Sequence, residues 1–347
     1  MSQDIIRIWG GTELAHDQVT LVPRRLFLNF TEERLYAGVP DGPDRGVPID
    51  RRFLELPDTE WYHPDGDNAN DGSFYSPKQS PISVLTRNVI LLPGDYSGTT
   101  LAAARGKTII ALPGAHGPGL NFVNESADPS VFIGKFAGVE ASLDSAAIDA
   151  RLASFSTVGA GISGVVGEVR GASIGSSVRV LRLSGSGDKT ISGGSPVIEW
   201  ADNIGVLKVG GTVTVLGGKV KKVEGDPSGN ATLHNVLIDQ TDENGDAVYW
   251  PNFVAGSFHA HNCRIRAVNV GTDGRTRGVV MDENNTTDVQ LSHCLIETAQ
   301  NGSGTAHSLF AVSAKTFRTY SVYATHDVSG NVTAAPDAVT VDGSLVV

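Results

Sequence analysis

Sulfur is nearly missing from this chain of 347 residues, which has only 2 Cys and 2 Met. Two cysteines cannot make a disulfide framework, and no Cys/His spacing typical of a zinc site occurs. Basic residues are also short, with 27 Lys and Arg against 38 Asp and Glu and a formal charge of -11. That balance excludes a broad phosphate-binding surface, so no nucleic-acid partner is expected. The one basic cluster, Lys219, Lys221 and Lys222, is too small to reverse it. No apolar run approaches the length of a membrane span, so no membrane insertion is expected. The opening MSQDIIRIWGG has no basic start followed by an apolar stretch, which predicts synthesis in the cytoplasm without a secretory signal. Phosphate-binding loops, dinucleotide glycine fingerprints and nucleophile elbows are absent, and the glycine-rich Val158 to Gly164 sits among strand-forming residues.

What is abundant is Gly, at 41 residues, together with Val, Ser, Thr, Asn and Asp. That mixture favours short strands and turns over helices. Three stretches read as variants of one strand: HNVLID from His234, HNCRIR from His261 and SHCLIE from Ser292, at steps of 27 and 31 residues. Their columns alternate in character. Val236, Cys263 and Cys294 align, as do Ile238, Ile265 and Ile296, while Leu237, Arg264 and Leu295 lie between them and Asp239, Arg266 and Glu297 follow. Successive strand residues face opposite ways, so the Val/Cys and Ile columns are predicted to point inward and the others outward. A strand recurring once per coil is what a parallel β-solenoid requires, because each coil buries its apolar face against its neighbours. In-register parallel neighbours point their Cβ atoms the same way, so Cys263 and Cys294 are expected to be buried free thiols.

Residues 1–57 form a first β unit. Within it LFLNFTEERLYAGVPDG reads as a hairpin with its turn at Thr31 to Glu33. It resembles the small hairpin modules near the start of phage tail-fibre proteins. From Trp61 the sequence WYHPDGDNANDGSFYSP is followed by NVILLPGDYSG and then KTIIALPGAHG. This entry resembles that of right-handed parallel β-helix proteins of the pectate-lyase-like superfamily, in which an aromatic strand and an acidic turn lead to a strand ending in a PGxY corner. The predicted fold is therefore mainly β, a right-handed parallel β-helix over 58–325 preceded by the small N-terminal module. Residues 326–347 are expected to act as a cap or exchanged strand. A helical insertion is expected near 138–156, where Val139, Leu143, Ala147 and Leu152 fall among good helix formers. Gly66 and Gly72 are expected to supply positive φ in the acidic turn. Asp65, Asp67 and Asp71 there serve either as turn formers or as calcium ligands.

Candidate chemistry is concentrated in loops between the three aligned strands. Asp282, Glu283 and Asp246 are the carboxylates that a glycosidase would need in pairs, although neighbouring Gly and Asn make turns the simpler account. His259, His261 and Arg264 with Tyr249 form the one cluster suited to a lyase. Tyr249, Trp250 and Phe253, with His259 and Arg264, are the candidates for glycan binding, because sugar rings stack on flat aromatic faces. The alternative for Trp250 and Phe253 is that they cover a neighbouring coil or a subunit interface. The Asp239, Arg266, Glu297 column is expected to make an ion-pair ladder or a saccharide-contacting stripe.

The resemblance to phage tail-fibre and tailspike proteins implies a homotrimer on the virion. Its N-terminal part would attach to other virion proteins, and its body would bind host-surface polysaccharide. No catalytic carboxylate set carries over, so a non-enzymatic adhesin without a cofactor is expected. A polysaccharide hydrolase or lyase, and a structural head or tail decoration protein, are the alternatives.

Overall fold

The computed structural model describes residues 8–11, 26–29, 34–38 and 46–49 as strands. It further describes 58–74, 76–79, 87–97, 100–103, 106–116, 119–122, 129–141, 146–226, 228–241, 245–251, 256–269, 275–281, 288–300, 305–311, 315–325 and 339–346. Every regular element among them is a strand. The chain divides into two compact units. The first contains 1–81, 87–95 and 111–115, and the second holds 82–86, 96–110 and 116–347.

In the first unit four strands form a small sheet. Leu26–Asn29 pairs antiparallel with Arg34–Gly38, as the hairpin pattern predicts, with Asn29 opposite Arg34. The expected turn at 31–33 lies outside the described residues. The acidic segment after Trp61 belongs to this unit and folds on itself. Trp61 N–H donates to Gly72 O at 2.7 Å and Lys78 N–H donates back to Trp61 O at 3.0 Å. Trp61 packs edge-on against Phe74, with ring centroids 4.9 Å apart. Gly72 has the expected positive φ of 80°. Gly66 is glycine for another reason: a Cβ there would lie 2.6 Å from the carbonyl oxygens of Pro77 and Lys78. The two Pro-Gly corners pair as the repeat predicts, with Gly94 N–H donating to Gly114 O at 2.9 Å.

The second unit is a parallel β-helix. From residue 230 each coil has three strands: Asn230–His234, Val236–Thr241 and Gly245–Trp250; then Ser257–His261, Arg264–Asn269 and Arg275–Met281; then Asp288–Ser292, Leu295–Gln300 and Thr305–Ala311. Each pairs in parallel with its counterpart in the next coil. Three inward ladders result. One runs Ile204, Val220, Ile238, Ile265, Ile296; a second runs Val213, Ala231, Phe258, Val289, Phe317; the third runs Val223, Val248, Val279, Leu309. All are buried. In the first and third ladders side chains of similar size stack layer on layer, and removing one large aliphatic there would cost about 2–5 kcal/mol.

Between the first and second strands the chain turns through a single residue in the left-handed region: Asn235, Asn262, His293 and Ser321, each with φ of 53–55°. Asn tolerates this conformation better than most residues. Asn262 also donates from Nδ2 to Asn235 Oδ1 at 2.7 Å, linking two corners.

The aligned strands take the predicted faces. Val236, Cys263, Cys294 and the Ile column are buried, while Leu237, Arg264 and Leu295 share a register on the other face with Asp239, Arg266 and Glu297. Both cysteines are free. Cys263 donates to Leu233 O at 3.5 Å and Cys294 to Ala260 O at 3.4 Å. The neighbouring Cys294 sulfur, and then burial, push the Cys263 thiol up.

The helix expected near 138–156 does not form. Ser130–Ala141 and Ala146–Val158 are long parallel strands. Ile148, Ala150, Phe155 and Val158 point inward, whereas Leu152, which a helical stripe would have buried, is 74% exposed. Aromatic packing decides the matter: Phe136 stacks on Phe155 at 5.4 Å, and Phe132 meets both edge-on at 5.7 and 6.0 Å. At the C-terminal end, Val339–Val346 adds in parallel to Lys315–Ala324 of its own chain.

Candidate functional site

The outward residues of the strands containing His259, Gln290 and Arg318 make an ordered polar row, because these three are opposite one another in register. Asp288, one pleat away, binds all three. Its carboxylate accepts from Arg318, from Gln290 Nε2 at 2.9 Å and meets His259 Nε2 at 3.2 Å. Partial burial would raise its pKa. The hydrogen bonds from Arg318, Gln290 and His259, and the Arg318 charge, outweigh that and hold it down at about 2. Asp288 is thus a fixed anion that aims donors, with no proton to give as a general acid.

Two residues further along each strand, the same face carries His261, Ser292 and Tyr320 in register. His261 Nδ1 and Ser292 Oγ are 2.7 Å apart. Here the left-handed corner adds His293, and a column of rings results: His234 to His261 at 5.7 Å, His261 to His293 at 5.3 Å, His293 to Tyr320 at 5.1 Å, each pair edge-to-face. The column is exposed where it matters, with Tyr320 at 65%. Earlier coils continue the edge with Leu216 and Trp200, both exposed. Gly217 leaves room for the Trp200 ring, which would lie 3.0 Å from a Cβ added there. Beside Tyr320 a shallow groove of about 330 Å³ is lined by Gln290, Ser292, Arg318 and Thr319. Flat rings next to oriented donors suit a ligand with apolar ring faces and hydroxyl edges.

The sequence-derived candidates fall differently. Trp250 is fully buried and packs on Phe258 at 5.3 Å, so it covers the core and offers no stacking face. Its place depends on Gly225, where a Cβ would lie 2.2 Å from the indole. Tyr249 is half-buried with the Lys222 ammonium 5.5 Å from its ring centre. His259 does belong to the site, through Asp288. Arg264 lies on the next strand of the coil and pairs with Glu297 through Nε and one terminal nitrogen. The expected acid-base-acid ladder is therefore split: Arg266 reaches Asp239 at 3.3 Å, Lys219 reaches the same carboxylate at 2.7 Å, and Glu297 goes to Arg264. Of the proposed lyase cluster, His259 and His261 share one strand, whereas Tyr249 lies on the strand before it and Arg264 on the strand after it, each member with its own partner.

Asp246 is tied bidentately to the buried Arg277, at 2.7 and 2.6 Å. Phe253, Asp282 and Glu283 lie outside the described residues. In the acidic turn, Asp67 accepts from Ala69 N–H at 2.9 Å and Asp71 from Ser73 N–H at 2.8 Å, while Asp65 is almost wholly exposed. Both bonded carboxylates thus close their own turns. Among the described residues no group of three or more His, Cys, Asp or Glu is placed to hold a metal ion.

Sequence reasoning missed the ring column because Tyr320 sits in a strand outside the aligned trio. The signal available was the aromatic at the same corner one coil later. No family model, curated protein or solved structure matches the chain.

Proposed function

We propose that this chain is a non-enzymatic, polysaccharide-binding β-helix of the phage tail-fibre or tailspike type, with the ring column and its Asp288-centred polar row as the binding face. The observation that carries the reading is the exposed edge-to-face column ending at Tyr320 beside oriented Arg318 and Gln290. Rings repeating once per coil present one flat contact for each successive unit of an extended polymer. Exposed rings also supply contact area at small entropic cost. The small N-terminal sheet is compatible with attachment to other virion proteins, and a side-by-side homotrimer would give three such edges. The hydrolase and lyase alternatives find less support in the geometry, since Asp288 is held ionised and Asp246 serves an internal ion pair.

The deciding experiment is binding of the purified chain to host-surface polysaccharide by equilibrium titration, with Tyr320→Ala and His293→Ala as variants. The adhesin reading expects saturable binding that weakens at least tenfold in the variants, with no new reducing ends or unsaturated uronates over time. Product accumulation by the wild type would replace it with an enzymatic one. Size measurement of the same sample tests the trimer against 36.4 kDa for one chain.

A further inference from the structure

The long strands Ala146–Val158 and Ile162–Ile174 lose register at two places, between Ala150 and Ser154 and between Phe155 and Thr157. Between the aligned pairs Ala150 with Val166 and Ser154 with Glu168, the first strand runs through Arg151, Leu152 and Ala153, and the second through Gly167 alone. A bulge of this kind breaks the in-out alternation and re-aims side chains. Ala153 turns inward, while Arg151 and Leu152 both face solvent. Gly167 permits it, since a Cβ there would lie 2.3 Å from the Arg151 carbonyl oxygen and 2.8 Å from that of Ala153. Against the previous strand the same segment again holds the extra residue, with Ala150 and Arg151 lying opposite Phe132 alone.

The bulge walls a groove of about 390 Å³. Across its floor Lys135, Ser154, Glu168 and Arg182 stand opposite one another in register. The two acidic neighbours of the groove's arginines are engaged: Asp202 is bound by Arg182, and Asp149 lies 3.5 Å from Arg151 Nε. Glu168 is also committed, accepting from Ser184 Oγ and Arg170 Nε at 2.7 Å each. Lys135 has no ion-pair partner among the described residues, and the Arg151 side chain is 64% exposed. An uncommitted ammonium, a guanidinium held on one side, a hydroxyl and the flank of Leu152 thus face one concavity on a chain of net charge -11.

We propose that this groove is a second saccharide subsite, selective for an anionic substituent of the polymer, with Lys135 and Arg151 taking the charge and Leu152 lying against the sugar ring. The ligand class rests on the polysaccharide reading above; the site itself is separate from the ring column. Arg151 can offer paired donors to a carboxylate or phosphate, and Lys135 a point charge. Both sit in water, so the attraction is screened over about 10 Å at 0.1 M salt. Selectivity is therefore expected to fade as salt rises.

The test is equilibrium binding of the full chain to three probes of equal length: an oligogalacturonate, a glycerol-phosphate oligomer and a neutral β-glucan. The double variant Lys135→Ala with Arg151→Ala, and Leu152→Ser, change exposed side chains only, and Tyr320→Ala perturbs the ring column. The subsite predicts at least tenfold weaker binding of one or both anionic probes in the double variant, a flatter salt dependence and unchanged neutral-probe binding. The two anionic arms distinguish carboxylate from phosphate. Unchanged anionic binding in the double variant, or anionic binding lost only in Tyr320→Ala, overturns the subsite and leaves the ring-column reading standing. Wild-type binding of the neutral probe alone does the same, and binding of none of the three overturns both.

Discussion

Asp246 and Arg277 face each other from adjacent coils, and Arg277 donates two hydrogen bonds to the Asp246 carboxylate, at 2.7 and 2.6 Å, with the guanidinium also 4.7 Å from the centre of the Phe310 ring. Arg277 is almost fully buried, and His307 stands next in the same row, its pKa lowered by burial and then by the Arg277 charge. Removing one partner of such a pair strands the other. Asp246→Ala is expected to lower stability by about 3–5 kcal/mol, read from the denaturant midpoint, with polysaccharide affinity of the remaining folded protein unchanged. A stable variant that had lost an activity would return Asp246 to a catalytic role.

Asp288 gives a pH prediction. Its folded pKa of about 2 lies below the unfolded carboxylate value of about 3.9. The unfolded state therefore binds its proton first as pH falls, so the contribution of Asp288 is present above about pH 4 and lost on approach to pH 2. With the side chain 38% exposed, solvent screening holds the effect below about 1 kcal/mol. Urea unfolding at steps between pH 6 and 2 is expected to show a shallower acid slope in Asp288→Asn than in the wild type. Equal slopes would mean that the ionic contacts of this carboxylate contribute nothing.

Gly225→Ala tests the seat of Trp250. The new methyl would meet the indole, and overpacking of this sort costs about 1–3 kcal/mol. A shift in tryptophan emission should accompany the loss, since the ring must move towards water. An unperturbed spectrum with full stability would place Trp250 elsewhere.

The corner residue Asn262 has φ of 53° and bonds Asn235 through its side chain. Asn262→Gly keeps the backbone conformation and loses only the side-chain bond, whereas Asn262→Val should cost about 1–2 kcal/mol more from left-handed strain. Thermal unfolding of the two variants side by side gives the order. Val equal to Gly would show that the corner does not need this conformation.

Much of the coil was legible because burial in a solenoid is periodic in two ways at once, along the strand and from coil to coil. Ile238, Ile265 and Ile296 satisfied both, and their faces and register followed. The long strands around Phe155 obscured the second period, because a bulge moved Leu152 to the wrong side and left residues spaced like a helix. The site was harder still. Its parts are single residues, His259, Gln290, Arg318 and Tyr320, drawn from three coils and united only by register. Trp250 shows the converse: composition marks a tryptophan as a binding anchor, yet a glycine one coil earlier had made room for it inside.

The left-handed corners and ladders also fix how the second unit meets force. Its backbone hydrogen bonds run from coil to coil, along the direction in which the coils stack. Tension applied in that direction loads the outermost boundary and opens it before the next, like a zip, so at the C-terminal end Val339–Val346 leaves first and the strand of Tyr320 follows. A grip made at the ring column would then let go by peeling, one layer at a time, while the layers behind keep their shape.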